Sequence, residues 1–228
     1  MRAWYRADLL VDDLGAQVTR WRDLSGNGVN TSQLDLTRQP RSARTGGPSN
    51  QARVQFDGVD DFLENSTITG IGPAASYTLI VCCKINNLVG TVFASMFDPG
   101  PPILRRSLNI VCVFGVVGFG SGNGGRTFAT YPLAPSLNRW LVLTGDHETT
   151  ERTIRENGVT RGTNRAADIV PEPFDLCLGC FEPAPAPGGP VPVPLNGELA
   201  ELALYSPKLS TPQRDQVEQW MMKRYAIV

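Results

Sequence analysis

The chain contains one histidine, His147. One imidazole cannot build a multi-histidine metal centre, and it leaves a single candidate base for a serine or cysteine nucleophile. Charge is scarce too. Charged residues make up 19% of the sequence, with 21 Lys and Arg against 22 Asp and Glu, so no basic field exists to attract nucleic acid or an anionic membrane. The longest apolar run, "IVCVFGVVGFG" (110–120), is too short to span a bilayer and is broken by glycine. The opening "MRAWYRADLLVDDLG" has no apolar h-region and is interrupted by Asp8, Asp12 and Asp13, so we expect no signal peptide and synthesis in a cytoplasm. The five cysteines (Cys82, Cys83, Cys112, Cys177 and Cys180) are an odd number, and in that compartment we expect buried, reduced thiols.

Turn formers are abundant instead. The 23 glycines and 18 prolines imply many short elements and few helices. Segments such as "AWYRAD", "ARVQF", "YTLIVCCKI", "RWLVLTGD" and "ELAELALYS" are rich in β-branched and aromatic residues and are separated by turn residues, as strands are. Asn157-Gly158 lies between two β-capable arms and predicts a type I′ hairpin, whose central residues both need positive φ. One helix is expected, over about 210–224. Ser210 and Gln213 form a capping box, Pro212 fits the first turn, and Val217, Trp220 and Met221 make an apolar stripe to pack on the strands. Residues 37–51 read as a polar loop and 181–197 as a proline-rich loop favouring polyproline II. The fold expected is all-β: one domain over 1–228, a two-sheet antiparallel jelly-roll β-sandwich with one C-terminal α-helix.

The acid-rich stretch "FDGVDDFLE" (56–64) invites a chemical reading. Its spacing predicts a strand, an Asp-Gly turn and a second strand, with Asp60 and Asp61 diverging as neighbours on extended chain. Asp57, Asp60 and Asp61 are then turn-forming acids, with calcium as the reserve explanation. "GELAEL" (197–202) offers Glu198 and Glu201, but residues three apart on a strand face opposite sides, and Ala200 stands where a middle acid is needed for glycoside hydrolysis. "DLSGNG" (23–28) opens like a calcium loop, yet Leu34 occupies the position of the bidentate glutamate, so a Gly/Asn turn is expected. Cys177 and Cys180 form a CxxC whose side chains would diverge on a strand. His147 lies in polar "TGDHETTER" and reads as a surface residue, and "GFGSGNGG" (118–125) as a hairpin tip without the lysine of a phosphate loop. Trp4, Trp21, Trp140 and Trp220 all read as core, leaving no aromatic sugar platform.

Four segments in order resemble the laminin-G-like, concanavalin A-like jelly-roll family. "WRDLSGNG" (21–28) is similar to its "W-x-D-x-S-G-N-G" segment and "FDGVDDFL" (56–63) to its "F-D-G-x-D-D-Y-L" segment. "LNRWLVLTGD" with "ENGVTRG" matches its central strand and hairpin, and "LNGELAELALYSPKLS" its closing strand. The resemblance implies a fold and not an activity. Members include sugar-binding modules, secreted bacterial proteins and bacteriophage structural proteins. Without a signal peptide and with long Pro/Gly loops, the resemblance points to a non-enzymatic virion component, a capsid decoration (cement) or head- or tail-fibre protein without a cofactor. Its location would then be the virion surface, and its partners a major capsid protein and copies of itself. The contacts would be Asn123 of the glycine-rich tip and Pro185, Pro187, Pro190, Val191, Pro192, Val193 and Pro194 of the proline-rich loop. The alternatives are a lectin-like module binding surface glycans and, last, a glycoside hydrolase.

Overall fold

A computed structural model describes residues 1–9, 17–68, 76–87, 91–97, 107–113, 116–122, 127–132, 136–165, 174–180 and 194–228. Two antiparallel sheets face each other. The first runs β14 (Val159–Asn164), β13 (Arg152–Glu156), β12 (Trp140–His147), β7 (Tyr77–Ile85), β16 (Asn196–Tyr205), β5 (Arg53–Asp57) and β4 (Arg41–Ala43), with β1 (Ala3–Arg6) also paired to β16. The second runs β11 (Thr127–Pro132), β10 (Val116–Gly122), β9 (Ser107–Val113), β8 (Thr91–Phe97), β15 (Phe174–Leu178), β6 (Leu63–Ile68), β3 (Thr31–Ser32) and β2 (Arg20–Trp21). One helix, α1 (Thr211–Tyr225), follows β16. This is the expected antiparallel jelly-roll β-sandwich with a C-terminal helix. No helix of the described residues is long and apolar enough to cross a membrane.

The central strand β7 shows why "YTLIVCCKI" reads as an unbroken apolar run. Tyr77, Leu79, Val81, Cys83 and Ile85 point into the core between the sheets. Ile80 and Cys82 point to the other face, where Val142, Ala203, Met221 and Tyr225 bury them under α1. A strand covered on both faces needs no polar alternation. The sheets approach closely enough that the Phe119 ring occupies the space a β-carbon on Gly145 would need, at 2.2 Å. The expected hairpin forms, with Asn157 at φ 48° and Gly158 at φ 77°.

Four expectations are corrected. Residues 41–43 of the predicted polar loop form β4, pairing with β5. His147 is fully buried, because β12 runs through it and its side chain points into the sandwich beside Tyr77, ring centroids 5.3 Å apart. Cys177 and Cys180 are disulfide-bonded, not free thiols. β15 ends at Leu178, and Gly179 (φ 89°) turns the chain so that both cysteines reach one side, Cα atoms 6.0 Å apart. Cys82 and Cys83 are buried thiols as expected. Trp220 is 44% exposed. The buried line of α1 is Glu218, Met221 and Tyr225, spaced three and four apart, and Trp220 lies one residue, about 100°, off that line.

Polar ties fix α1 to the first sheet. Gln213 Oε1 accepts from the Ser210 N–H at 3.0 Å and its hydroxyl at 2.8 Å, which sets the helix start. Arg155 grips buried Glu218 with two bonds of 2.9 Å, and Arg214 donates to Asp146 at 2.7 Å. Since α1 crosses the outer face of β16, its exposed rim and that strand enclose a space.

Candidate functional site

The N-terminal strand shapes this space, and the "DLSGNG" turn holds that strand. Asp23 accepts the Trp4 N–H at 2.9 Å, the Ser25 N–H at 2.8 Å and the Val29 N–H at 3.1 Å. Asn27 donates its amide to the carbonyls of Met1 and Arg2, and Trp21 Nε1 donates to the Arg6 carbonyl. The motif therefore satisfies the free edge of β1 with turn and side-chain groups. The predicted Gly/Asn turn is present, with Gly26 and Gly28 both at positive φ.

The "FDGVDD" segment is a crossover between sheets, since β5 belongs to the first and β6 to the second. Asp57 Oδ1 accepts from the Val59 N–H at 2.8 Å and the Asp60 N–H at 3.3 Å, while Asp61 Oδ2 accepts the Asp57 N–H at 3.0 Å. The three acids do not diverge. Gly58 (φ 81°) bends the chain out of the extended geometry, and oxygens of Asp57, Asp60 and Asp61 lie within 4.8 Å of one another. Burial, with Asp57 and Asp60 nearby, pushes the Asp61 carboxyl up to about 6. Such a set has the donor chemistry of a hard cation and also of a well-hydrogen-bonded turn.

"GELAEL" also departs from its expected geometry. Glu198 stands opposite Lys84 and Glu201 opposite Cys82, two residues apart on β7 and so on one face. A bulge at Ala200 inserts the extra residue that brings both glutamates to the α1 side. Their oxygens are already engaged. Glu198 takes Lys84 at 3.0 Å and Arg53 at 2.7 Å. Fully buried Glu201 accepts from Trp4 Nε1 at 2.6 Å and from the Tyr225 hydroxyl at 2.7 Å. Burial raises the Glu201 pKa, and the two hydrogen bonds oppose that rise.

Above Glu201 opens a cleft of about 340 Å³, walled by Trp4 from β1, Ala203 and Tyr205 from β16, and Gln216, Val217 and Trp220 from α1. The walls are mainly aromatic and aliphatic, and Glu201 supplies the carboxylate at the base. Two guanidinium groups stand over the tryptophan rings: Arg6 over Trp4 and Arg224 over Trp220, each 5.7 Å from the ring centroid. Both arginines bind Asp8 at 2.7 Å. Sequence reasoning placed Trp4 and Trp220 in the core and missed this cleft. No sequence signal separates Trp220 from Met221 within the apolar stripe.

Of the expected contact residues, Asn123, Pro185, Pro187, Pro190, Val191, Pro192 and Val193 lie outside the described residues. Pro194 is half-buried just before β16.

Fold and topology define an antiparallel jelly-roll β-sandwich. Solved structures agree. Domain 4 of AbnA, an extracellular arabinanase of Geobacillus stearothermophilus solved with arabinotriose, superposes with a TM-score of 0.61 at 17% identity, over 96% of this chain and 98% of that one. The Trypanosoma rangeli sialidase gives 0.64 at 13% identity over 96% of this chain and 33% of its own. The binding domain of botulinum neurotoxin serotype D gives 0.63 at 11% identity over 98% and 51%. The chain thus spans about half of the toxin domain and a third of the sialidase. At these identities the likeness is one of fold. No protein-family model matches the sequence, and no curated protein is significantly similar to it.

Proposed function

We propose that the chain is a non-catalytic saccharide-binding module. The observation that carries this reading is the cleft walled by Trp4, Trp220 and Tyr205, with Gln216 as a polar residue of its wall. Aromatic faces pack against the C–H face of a sugar ring, while a few fixed polar groups orient its hydroxyls. Hydrolysis asks for something else, a pair of carboxyl groups free to protonate and attack. Glu198 and Glu201 share a face, but both are held by hydrogen bonds or ion pairs to neighbouring side chains. The full-length match to a domain solved with arabinotriose supports the reading by analogy of fold. Screening the pure protein against an oligosaccharide panel by calorimetry tests it. Saturable binding without depolymerisation is expected, and released reducing ends would overturn it.

A second reading, a structural virion subunit contacting a coat protein, is favoured by exposed aliphatics at one end of the sandwich. Leu34, Leu36 and Val59 are 83%, 63% and 67% exposed. Their two loops are joined where the Phe62 N–H donates to the Arg38 carbonyl at 3.2 Å. Co-sedimentation with assembled shells, reduced by Leu34→Ser with Val59→Ser, is the outcome this reading expects.

A further inference from the structure

We propose that Asp8 is a positioning residue of the cleft: it holds Arg224, and through Arg224 it holds the Trp220 ring ready for a sugar. This rests on the saccharide-binding reading above and adds a residue that acts on the site from outside it. Asp8 stands in the helical turn Ala7–Leu9 that follows β1. Its carboxylate accepts from Arg6 Nε at 3.1 Å and Arg6 Nη2 at 2.7 Å, and its Oδ2 accepts from Arg224 Nη2 at 2.7 Å as well. One side chain thus ties the N-terminal strand to the last turn of α1, across 216 residues of sequence. Neither Asp8 nor either arginine lines the cleft. Their influence on a ligand seated there runs through the rings they touch.

The two tryptophans depend on this tie to different degrees. Trp4 is fixed without it. Its N–H donates to Asp23 at 2.9 Å, its Nε1–H to Glu201 at 2.6 Å, and its strand pairs with β16. Trp220 sits on the rim of α1, 44% exposed. Arg224 lies one helical turn further on, so the two side chains meet on the helix surface, the guanidinium 5.7 Å from the indole centroid. A cation–π contact at an exposed site is weak by itself, and an untethered arginine has many rotamers to sample. Asp8 removes that freedom. Of the two carboxylates near Arg224 it is the closer, at 2.7 Å against 3.8 Å for Glu201. The Tyr225 ring, 5.4 Å away, adds a further contact to the guanidinium. Trp220 therefore rests against a fixed group and meets a sugar with its ring already oriented. Ordering a side chain before binding raises affinity, because that entropy is no longer lost in the binding step.

The test has two arms, both on the whole chain. Nitrogen relaxation NMR of the indole N–H groups reads ring order without a ligand, the Trp220 signal being assigned by its loss in Trp220→Leu. Asp8→Ala is expected to lower the Trp220 order parameter from about 0.85 to below about 0.6, while Trp4 and Trp21 stay rigid. Asp8→Glu, which keeps the carboxylate, should recover part of the order. Calorimetry with arabinotriose, xylotriose and cellotriose reads the consequence. Affinity for the tightest binder of the three should fall about three- to tenfold in Asp8→Ala. Since Asp8 acts through the ring, Asp8→Ala should cause no further loss when added to Trp220→Leu. A merely structural Asp8 would weaken binding equally in both backgrounds, and that result overturns the proposal. A Trp220 indole that stays ordered in Asp8→Ala overturns it whatever the sugars do. If none of the three sugars binds while the Trp220 ring loosens, the saccharide reading falls and the hold of Asp8 on Trp220 stands.

Discussion

The molecule has two acid-rich segments that the chain handles in opposite ways. "FDGVDD" packs three aspartates into five positions and feeds them with its own backbone. Val59, Asp60 and Asp57 each donate an N–H to an aspartate of the same loop. "GELAEL" carries only two glutamates and recruits side chains from across the fold. Trp4 comes from the N-terminal strand, Tyr225 from the last helical turn, and Arg53 and Lys84 from neighbouring strands. Local density of carboxylates therefore marks a turn that supports itself. Sparse carboxylates on a covered strand mark a junction where distant elements meet, and the cleft lies at that junction.

Breaking the junction should be costly. Glu201→Ala removes the acceptor of two donors, Trp4 Nε1–H and the Tyr225 hydroxyl, at a fully buried position. Leaving buried donors unpaired typically costs about 1–3 kcal/mol each, so a total loss of about 2–4 kcal/mol is expected in urea unfolding. The loosened Trp4 should also show a shifted fluorescence maximum in the folded protein. A loss under about 1 kcal/mol would show that Glu201 is not the keystone of this face.

How legible was this beforehand? Local rules were: the Asn157-Gly158 turn, the Ser210–Gln213 capping box and the Gly/Asn turn after Trp21 each follow from residues within a few positions. The β-branched and aromatic runs between turn residues, which became the strands, were legible as well. The features that changed the functional picture depend on non-local geometry. The bulge at Ala200 leaves no mark in sequence, yet it reverses the facing of Glu201. The disulfide depends on where β15 stops. Trp220 looked like core because a stripe of apolar residues does not reveal which of its members sits at the centre. His147 looked exposed because its neighbours along the chain are polar, whereas its partners on the two adjoining strands are Tyr77 and Arg152.

Two titratable groups sharpen the comparison, one in the crossover and one in the core. Asp61 is raised to about 6 by burial and by Asp57 and Asp60, against an ordinary 3.8. A raised folded pKa means that the folded state holds its proton more tightly than the unfolded chain, so this group favours folding as pH falls from about 6 to 3.8. His147 is lowered to about 4, by burial and by Arg152, against an ordinary 6.5. Here the folded state binds the proton less well. Stability is lost as pH falls from 6.5 to about 4, on the order of 3 kcal/mol in all. The two contributions oppose each other over nearly the same window. Asp61→Asn keeps an acceptor for the Asp57 N–H and should raise the melting temperature above pH 6, with the gain gone by pH 4. It should thereby expose the acid-side loss due to His147. His147→Phe should do the reverse, flattening the fall between pH 6.5 and 4. Identical pH profiles for the two variants would contradict the burial of one group or the other.

The smallest effect belongs to the turn itself. Asp57 is exposed, and its Oδ1 accepts two loop N–H groups that water can serve in its absence. Asp57→Ala is therefore expected to cost only about 0.5–1 kcal/mol, well below Glu201→Ala, although it sits in the denser carboxylate cluster. The same pair of proteins discriminates turn from cation site. If the aspartates serve the turn alone, about 1 mM calcium leaves the wild-type melting temperature where it is. A rise in wild type that vanishes in both Asp57→Ala and Asp61→Asn would assign the three converging oxygens to a bound ion, because only a ligand that prefers the folded state shifts the midpoint in this way. That result would invert the contrast between the segments: the self-sufficient turn would become the one that needs an outside partner, and the junction at Glu201 the one complete within the chain.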